Sequence, residues 1–394
     1  MPFKTGGNSY SSSQYQDKSR RQKAFPALYN QTMSSIINPW RIFAKAIAIF
    51  LIFEFAFYTL HPDPQWLNVY NTPALKRQRF PMSTYAPEDA ALDMDNLDAM
   101  FASHSVSEPK VPNEYRVLVL GDSEVWGIGL TPEQTLPDQI DALGLKCGDK
   151  SIRTYNLSFP VSSSTKDLMI IDKAMSYQPD EIIWLITWNT LAPLRRTNHP
   201  LIEYNPAEYY KLARRYNFLP KNYKSPSLIS QIADQNRTLF RILRYQFYSL
   251  INIATGLDQI QSPLEELPTK LNNDPTFENL KPPKLYSWFV SLDQVKDFYQ
   301  IAGNIPVILV NEPTQVLTNV PYSNIYYNVY YPRWVYDQYR QYVSKAAAEN
   351  HWNYLDFWNV FASSFYTNTP LHLNPQGETE LAKMIAPYIV QGCP

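Results

Sequence analysis

Glycine, cysteine and net charge are all low in this sequence of 394 residues. It contains 11 glycines and 2 cysteines, and its formal net charge at pH 7 is -1. Nucleic-acid-binding domains carry basic patches, so a chain this close to neutral is not expected to bind nucleic acid. Because proline (32) and tyrosine (29) are abundant while glycine is rare, the composition favours long ordered loops with aromatic surfaces over flexible linkers.

Sequence motifs for metals and nucleotides are also missing. Cys147 and Cys393 lie in no Cys-x-x-Cys pair and near no histidine cluster, so a zinc site is not expected. The first predicted strand is followed by neither G-x-G-x-x-G nor G-x-x-x-x-G-K-[ST], which makes a nucleotide-binding α/β domain a weak interpretation. We therefore expect the protein to use no cofactor and no metal.

A long apolar run lies near the N-terminus. Residues 1–41 are polar, and we interpret them as a disordered cytoplasmic tail. Residues 42–60 are nearly all apolar, and a helix of that length matches the roughly 30 Å of a bilayer core. Trp40, Tyr58 and Trp66 bracket the run as interfacial aromatics, and lysines and arginines precede it. By the positive-inside rule we predict a single-pass transmembrane helix in the cytoplasmic membrane, with the rest of the chain outside.

Two details of this apolar run leave alternatives open. A cleaved signal peptide is the competing interpretation, but the leader would be unusually long and no Ala-x-Ala follows the run. Glu54 is costly in lipid, so it either faces a partner helix or lies near the headgroups, and its closeness to Tyr58 favours the headgroups. An outward-facing domain also permits a disulfide between Cys147 and Cys393, although the sequence does not show that the two are close.

The remaining chain is long enough to bury one large core. Residues 61–112 are proline-rich, with one helical candidate at 87–103, and we interpret them as a stalk packed against the main domain. From 113 to 394, short apolar runs alternate with helical stretches, which predicts βαβ units and a parallel sheet. We predict an α/β fold, a three-layer α/β/α sandwich with a mainly parallel five-stranded sheet, preceded by the one transmembrane helix. The predicted strands are 115–121, 152–157, 181–187, 305–311 and 352–356, and the predicted helices are 132–144, 164–177, 334–350 and 376–390.

The stretch at about 190–300 does not follow this alternation, and we interpret it as an insertion or lid. Residues 238–253 within it read as a helix with an apolar and aromatic face, with Arg241 and Arg244 off that face. Such a helix could rest on a membrane or line an acyl pocket. Packing into the core is the default interpretation.

Two short motifs suggest a serine nucleophile and its base. The first strand runs into Gly121-Asp122-Ser123, and His372 precedes the last helix in His-Leu-Asn374-Pro375. An apolar strand that stops at Gly-Asp-Ser places Ser123 at the carboxyl edge of a parallel sheet, where the following helix directs its N-terminus at the hydroxyl. A simple turn is the alternative, because all three residues favour turns. For His372 the alternative is a surface histidine beside the Asn374 cap.

These motifs resemble the SGNH, or GDSL, family of hydrolases and acyltransferases over about 113–390, apart from the insertion. The first block matches in Gly121-Asp122-Ser123, with Gly127 following. In the second block Asn156 is present, but Val161 stands where the family has an oxyanion glycine. In the third block only Asn189 of the family's Asn-Asp pair is kept. In the last block Thr369 stands where the family has an Asp three residues before His372.

The resemblance implies a role for each of these residues. Ser123 would be the nucleophile and His372 the base, while the amides of Ser123 and Val161 and the side chain of Asn189 would form the oxyanion hole. The family's orienting carboxylate is missing, which leaves a possible Ser-His dyad. Asp356 or a backbone carbonyl near Thr369 could orient the imidazole instead. The Val161 amide can serve if its φ is negative, whereas a left-handed conformation would cost roughly 1 to 2 kcal/mol.

The sequence thus predicts a membrane-anchored serine esterase or O-acyltransferase that acts outside the cytoplasmic membrane through an acyl-serine intermediate. The resemblance implies a cell-envelope glycan or lipid ester as the substrate, and sometimes a multi-spanning acyltransferase as a partner. The alternative is a catalytically degenerate protein that binds glycan or a membrane partner. The departures from the family motifs motivate this alternative, together with the tyrosine-rich stretch 322–331, which could stack on sugar rings.

Overall fold

The computed structural model of the chain describes residues 38–60, 67–82, 96–219, 227–260, 270–367 and 369–393. Residues 1–62 and 63–394 form two compact units. Almost all of the predicted disordered tail at 1–41 lies outside the described residues, as does the first part of the predicted helix at 87–103.

The described part of the first unit is a helix, α1, from Pro39 to Leu60. Large apolar side chains such as Phe43, Ile52 and Phe55 are exposed along it. Within the described part of the chain, no helix combines the length and apolar character that crossing a membrane requires. The predicted helix at 42–60 is present, and its transmembrane placement is not confirmed.

The second unit is built on a mixed sheet of six strands among the described residues. All strands are parallel except β2, which pairs with β3 in the antiparallel sense, and the strand order is β2-β3-β1-β4-β5-β6. The prediction of five strands was therefore wrong by one, because β2 has only two residues and leaves no periodic pattern in the sequence. The strands are β1 (Glu114–Leu120), β2 (Lys146–Cys147), β3 (Lys150–Asn156), β4 (Glu181–Ile186), β5 (Val307–Asn311) and β6 (Asn353–Asp356).

Helices cover both faces of this sheet. Along β1, Leu118 and Leu120 enter the larger apolar core on one face, while Val117 and Val119 enter the second core on the other. This alternation follows from the two-residue period of a strand. The helices of the second unit are α2 (Leu97–Ser103), α3 (Ser123–Trp126), α4 (Leu136–Ala142), α5 (Ser164–Ala174), α6 (Trp188–Leu191), α7 (Pro200–Tyr204), α8 (Pro206–Arg215), α9 (Leu228–Thr255), α10 (Leu292–Ala302), α11 (Arg333–Asn350) and α12 (Pro375–Gln391).

One helix of the predicted insertion belongs to the core of the sandwich. Helix α10 packs beside α5, and its Phe298 stacks on Trp184 of β4 with ring centroids 4.0 Å apart. The long helix α9, which contains the predicted 238–253, instead leaves Phe240, Leu243 and Phe247 exposed. The stretch at 190–300 therefore combines a regular layer helix with a peripheral one.

The chain before β1 supports the turn that follows Ser123. Arg79 is fully buried, and its guanidinium donates hydrogen bonds to the carbonyls of Trp126 (2.6 Å), Gly127 (3.0 Å) and Leu130 (2.9 Å). Gly127 has a φ of +85°, and a Cβ there would lie 2.5 Å from the Thr135 side chain. The second glycine of the first motif is thus required by both backbone conformation and space.

A disulfide joins Cys147 of β2 to Cys393, just beyond α12, across 246 residues of sequence. The Cα atoms are 5.5 Å apart. The sequence permitted this pair without showing it, and the structure places both cysteines together. The bond ties the C-terminus to the edge strand of the sheet.

Candidate active site

Ser123 lies at the carboxyl end of β1, where the strand turns directly into α3. Gly121 makes this turn possible, because a Cβ at that position would lie 2.5 Å from the Val125 side chain. Asp122 caps the helix, with its carboxylate accepting a hydrogen bond from the Glu124 amide (3.2 Å). Ser123 is the first residue of the helix and half-buried, so its hydroxyl stands at the end of the sheet.

His372 meets this hydroxyl from the opposite end of the domain sequence. Its Nε2 is 2.9 Å from Ser123 Oγ. The loop that carries the imidazole is held by its own backbone, since the His372 amide donates to Thr369 Oγ1 (3.1 Å) and its carbonyl accepts from the Thr367 amide (2.8 Å). Asn374 then caps α12 by accepting from the Gly377 amide (3.0 Å). The two predicted residues are within hydrogen-bonding distance.

The imidazole is poised as a base. His372 is only 6% exposed, and this burial lowers its pKa below the usual value, while the nearby negative charge of Asp122 partly opposes the shift. A lowered pKa keeps the ring neutral at pH 7, with one nitrogen free to accept a proton. The ring can therefore take the proton of Ser123.

Asp356 does not orient this imidazole. Its carboxylate forms an ion pair with Arg340 (2.6 Å) and accepts a hydrogen bond from Asn311 Nδ2 (2.8 Å). Asp356 ends β6, and its neighbour strand and α11 supply both partners. The hypothesis that Asp356 replaces the family's carboxylate is not supported by this arrangement. Among the described residues, Nδ1 of His372 has no hydrogen-bond partner.

Thr369 has a different role from the Asp that it replaces. Its hydroxyl accepts from the His372 backbone amide and so fixes the loop rather than the ring. The carbonyl of the next residue, Pro370, accepts hydrogen bonds from Gln315 N (2.7 Å) and Thr314 Oγ1 (3.2 Å). The loop before His372 is thus anchored to the segment that follows β5.

Val161 adopts the left-handed conformation, with φ +69°. The family glycine at this position is thereby explained, since a β-branched residue at positive φ is strained. The side chain is 51% exposed, and the backbone around it is fixed on both sides. Ser162 Oγ donates to the Asp122 carboxylate, and His199 Nε2 lies 2.9 Å from the Pro160 carbonyl.

The tautomer of His199 follows from its two contacts. Its Nδ1 accepts a hydrogen bond from the Leu201 amide (2.9 Å), so the proton lies on Nε2, which donates to Pro160. Burial lowers the pKa of His199 to about 3, which keeps the ring neutral. A histidine from the predicted insertion therefore supports the loop that carries Val161, and no sequence motif marked it.

Asn189 lies in α6, immediately after β4, and is half-buried. Its Nδ2 donates to the hydroxyl of Tyr331 (3.3 Å), which also bonds with Thr187 Oγ1 (2.7 Å). One N–H of the amide is left for another acceptor. Because β4 lies beside β1 in the sheet, Asn189 and Ser123 both follow strand ends at the same edge.

The tyrosine-rich stretch 322–331 is mostly part of the core. Tyr326, Tyr327 and Tyr331 are buried, and Tyr331 stacks on Tyr336 of α11 with ring centroids 4.6 Å apart. Tyr322 is 40% exposed. The interpretation of this stretch as a sugar-stacking surface was therefore wrong for its buried members, whose rings have no free face.

Three buried glutamates lie near the site and were not predicted. Glu124, Glu312 and Glu378 are each at most 2% exposed, and their carboxyl oxygens have no hydrogen-bond partner. Burial raises the pKa of each well above its usual value, and mutual repulsion adds to the shift of Glu124 and Glu312. Raised pKa values favour the protonated, uncharged form. Among the described residues, no group of histidine, cysteine and acidic side chains could hold a metal ion.

Comparison with known proteins gives matches among solved structures. No protein-family model matches the chain, and no curated protein does. One matching structure is a protein assigned to the lipolytic G-D-S-L family from Desulfitobacterium hafniense DCB-2 (12% identity, TM-score 0.33, 71% of this chain and 99% of that one). Others are a lipase/acylhydrolase from Enterococcus faecalis (13%, 0.37, 70% and 95%) and an aryl esterase from M. smegmatis (11%, 0.34, 70% and 98%). At such low TM-scores we infer the function from the site geometry alone.

Proposed function

We propose that this protein is a serine ester hydrolase in which Ser123 is the nucleophile and His372 the general base. The observation that carries the proposal is the 2.9 Å distance between Ser123 Oγ and His372 Nε2. This distance lies within the range that proton transfer requires, and the lowered pKa of His372 provides the neutral base. The arrangement matches what the sequence motifs imply.

The reaction has two stages. As Ser123 Oγ attacks the ester carbonyl carbon, its proton moves to His372 Nε2, and the carbonyl oxygen becomes an oxyanion. The tetrahedral intermediate collapses when the bond to the leaving alkoxide breaks, and the imidazolium returns the proton to that oxygen. A water molecule, or an acceptor hydroxyl in the case of transfer, then attacks the acyl-serine by the same route and regenerates Ser123.

Three donors would stabilise the oxyanion in this reaction. Two are the backbone amides of Ser123, at the start of α3, and of Val161, on its fixed loop. The third is the free N–H of Asn189. Donors held in place before the reaction are worth more than mobile ones, since they need no reorganisation as charge develops. The strained backbone at Val161 is consistent with such a fixed amide.

The hydrolase proposal is tested with the full-length protein and a series of p-nitrophenyl esters, beginning with acetate. The wild type should release p-nitrophenol, and Ser123→Ala should reduce kcat/KM at least about 1000-fold. Ser176→Ala is the matched control, because Ser176 is exposed and bonds only to its own helix. Equal rates for wild type and Ser123→Ala would contradict the proposal.

We place the reaction outside the cytoplasmic membrane, with α1 attaching the domain to that membrane. Two features support this placement: disulfides persist in oxidising compartments, and α1 exposes large apolar side chains along its length. Glycan or lipid esters of the cell envelope, and a multi-spanning acyltransferase as partner, remain predictions. Recovery of the expressed protein in a soluble fraction after cell lysis, with no detergent, would contradict the membrane attachment.

One observation favours the second candidate function, a binding protein without turnover. Nδ1 of His372 has no hydrogen-bond partner among the described residues, whereas a carboxylate at this nitrogen strengthens the base in related chemistry. A protein of this kind would bind an ester or glycan at the same site without forming an acyl-serine. In the ester assay above it would show no release of p-nitrophenol that depends on Ser123.

A further inference from the structure

Lys166 is a fully buried cation that the catalytic scheme does not yet use. It lies in the first turn of α5 and is 0% exposed. Its ammonium donates hydrogen bonds to the carbonyls of Gly121 (2.8 Å) and Phe159 (2.6 Å), and it forms an ion pair with Asp167 (3.0 Å). A buried charge is retained only where such partners compensate for the loss of water.

The two carbonyls occupy corresponding places in the site. Gly121 lies two residues before Ser123, and Phe159 lies two residues before Val161. Each carbonyl therefore belongs to the short backbone segment that ends in one of the two proposed oxyanion amides. The Phe159 amide also donates to the Gly121 carbonyl (3.3 Å), so the segments touch directly, and Lys166 joins them a second time.

The neighbourhood of the ammonium is itself fixed. Asp167 accepts a hydrogen bond from Trp184 Nε1 (3.1 Å), and Trp184 is fully buried in β4. The Lys166 side chain is thus held between the central sheet and the two loops. A side chain that only balanced the charge of Asp167 would not need to contact both carbonyls.

We propose that Lys166 is a positioning residue that sets the spacing between the backbone amides of Ser123 and Val161. Its ammonium holds the Gly121 and Phe159 carbonyls at a fixed separation, and the amides two residues further along take their places from it. The role rests on the proposed function, since it acts only through the oxyanion hole. Lys166 touches neither substrate nor the reacting atoms.

The test uses full-length Lys166→Met, which keeps the length of the side chain and removes the ammonium. The double variant Lys166→Met/Asp167→Asn avoids leaving a buried carboxylate unpaired, and Lys166→Gln keeps N–H donors without the charge. Lys173→Met is the matched control, because Lys173 lies on the same helix at the surface and pairs with Asp98. Each variant is titrated with a fluorophosphonate, so that kcat is expressed per competent site.

A positioning role predicts a specific pattern in these variants. For Lys166→Met and the double variant, kcat per titrated site should fall about 100-fold, as expected when oxyanion donors move from their places. KM should stay within about threefold, and the acidic midpoint of the pH profile, which reports His372, should not move. Lys166→Gln should lose less, and Lys173→Met should match the wild type.

Two results would overturn the proposal while the function stands. One is an unchanged kcat per titrated site with only a lower melting temperature, and the other is failure of all three Lys166 variants to fold, since either assigns Lys166 a structural role. A wild-type protein that turns over no ester would instead overturn the proposed function, and the positioning role with it. The wild-type assay therefore separates the two failures.

Discussion

Ser123 Oγ lies 2.9 Å from His372 Nε2 although 249 positions of sequence separate the two residues. The contact depends on the sheet, because β1 delivers Ser123 and the loop before α12 delivers His372 to one edge. A serine and an imidazole at this distance have little structural purpose at a half-buried position. The following predictions concern the chemistry that this contact allows.

The pH dependence of activity should report the buried imidazole of His372. Burial lowers the pKa of this group, so the neutral form persists to a lower pH than for an exposed histidine. Activity is present above the lowered pKa and is lost as the pH falls through it. The acidic midpoint of kcat/KM should therefore lie below about 6.5, the usual histidine value. A midpoint clearly above that value would contradict the assignment of His372 as the base.

Asp356→Asn should leave catalysis nearly unchanged. The Asp356 carboxylate is engaged by Arg340 and Asn311, so its loss should weaken that network without affecting the imidazole. We expect kcat/KM within about threefold of the wild type, whereas the loss of a true orienting carboxylate costs about 10⁴-fold in the serine protease template. The assay compares p-nitrophenyl acetate hydrolysis by the variant and the wild type. A loss of 100-fold or more would restore Asp356 to the site.

Much of this site could be predicted from the sequence, because its key residues stand at strand ends. The apolar runs located β1, β3, β4, β5 and β6, and Gly121-Asp122-Ser123 and His372 marked the edge where they meet. The hypothesis for Asp356 also relied on its strand-end position, but the sequence did not reveal that Arg340, one turn-rich helix away, would claim its carboxylate. Position at a strand end predicts proximity to the edge, not the choice of partner.

Other parts of the site left no signal in the sequence. Lys166 reads as an ordinary helix residue, and only the fold shows that the first turn of α5 enters the core. The left-handed backbone of Val161 runs against the preference of valine, so tertiary contacts determine it. The two-residue β2 and the insertion helix α10 escaped for related reasons, since one is too short for a pattern and the other lies in an irregular stretch.

Val161→Gly should stabilise the protein. Valine at φ +69° is strained, and glycine relieves this strain at a position where half of the side chain is already exposed. We expect the free energy of unfolding to rise by about 1 kcal/mol. Chemical denaturation followed by circular dichroism measures it. Val111→Gly is the control, because Val111 is 52% exposed without a positive φ, and this change should destabilise. A lower stability for Val161→Gly would contradict the strain.

Loss of the disulfide should reduce stability and spare catalysis. The bond between Cys147 and Cys393 closes a long loop, and such bonds typically contribute about 2–4 kcal/mol to the free energy of unfolding. Cys147 pairs with Lys150 at the start of β3, whereas Ser123 follows the end of β1. The Cys147→Ala/Cys393→Ala variant should therefore unfold at lower denaturant concentration with kcat within about twofold. A large loss of kcat in the folded variant would show that the bond shapes the active site.

The most direct measurement is covalent labelling of Ser123 by a fluorophosphonate, followed by mass spectrometry of the labelled peptide. Labelling requires an activated hydroxyl, so we expect the full-length wild type to carry the adduct on Ser123. His372→Ala should slow the reaction at least about 100-fold, because the base is gone, and Ser176→Ala should label like the wild type. A wild-type protein that stays unlabelled, or that labels at the same rate without His372, would contradict the account.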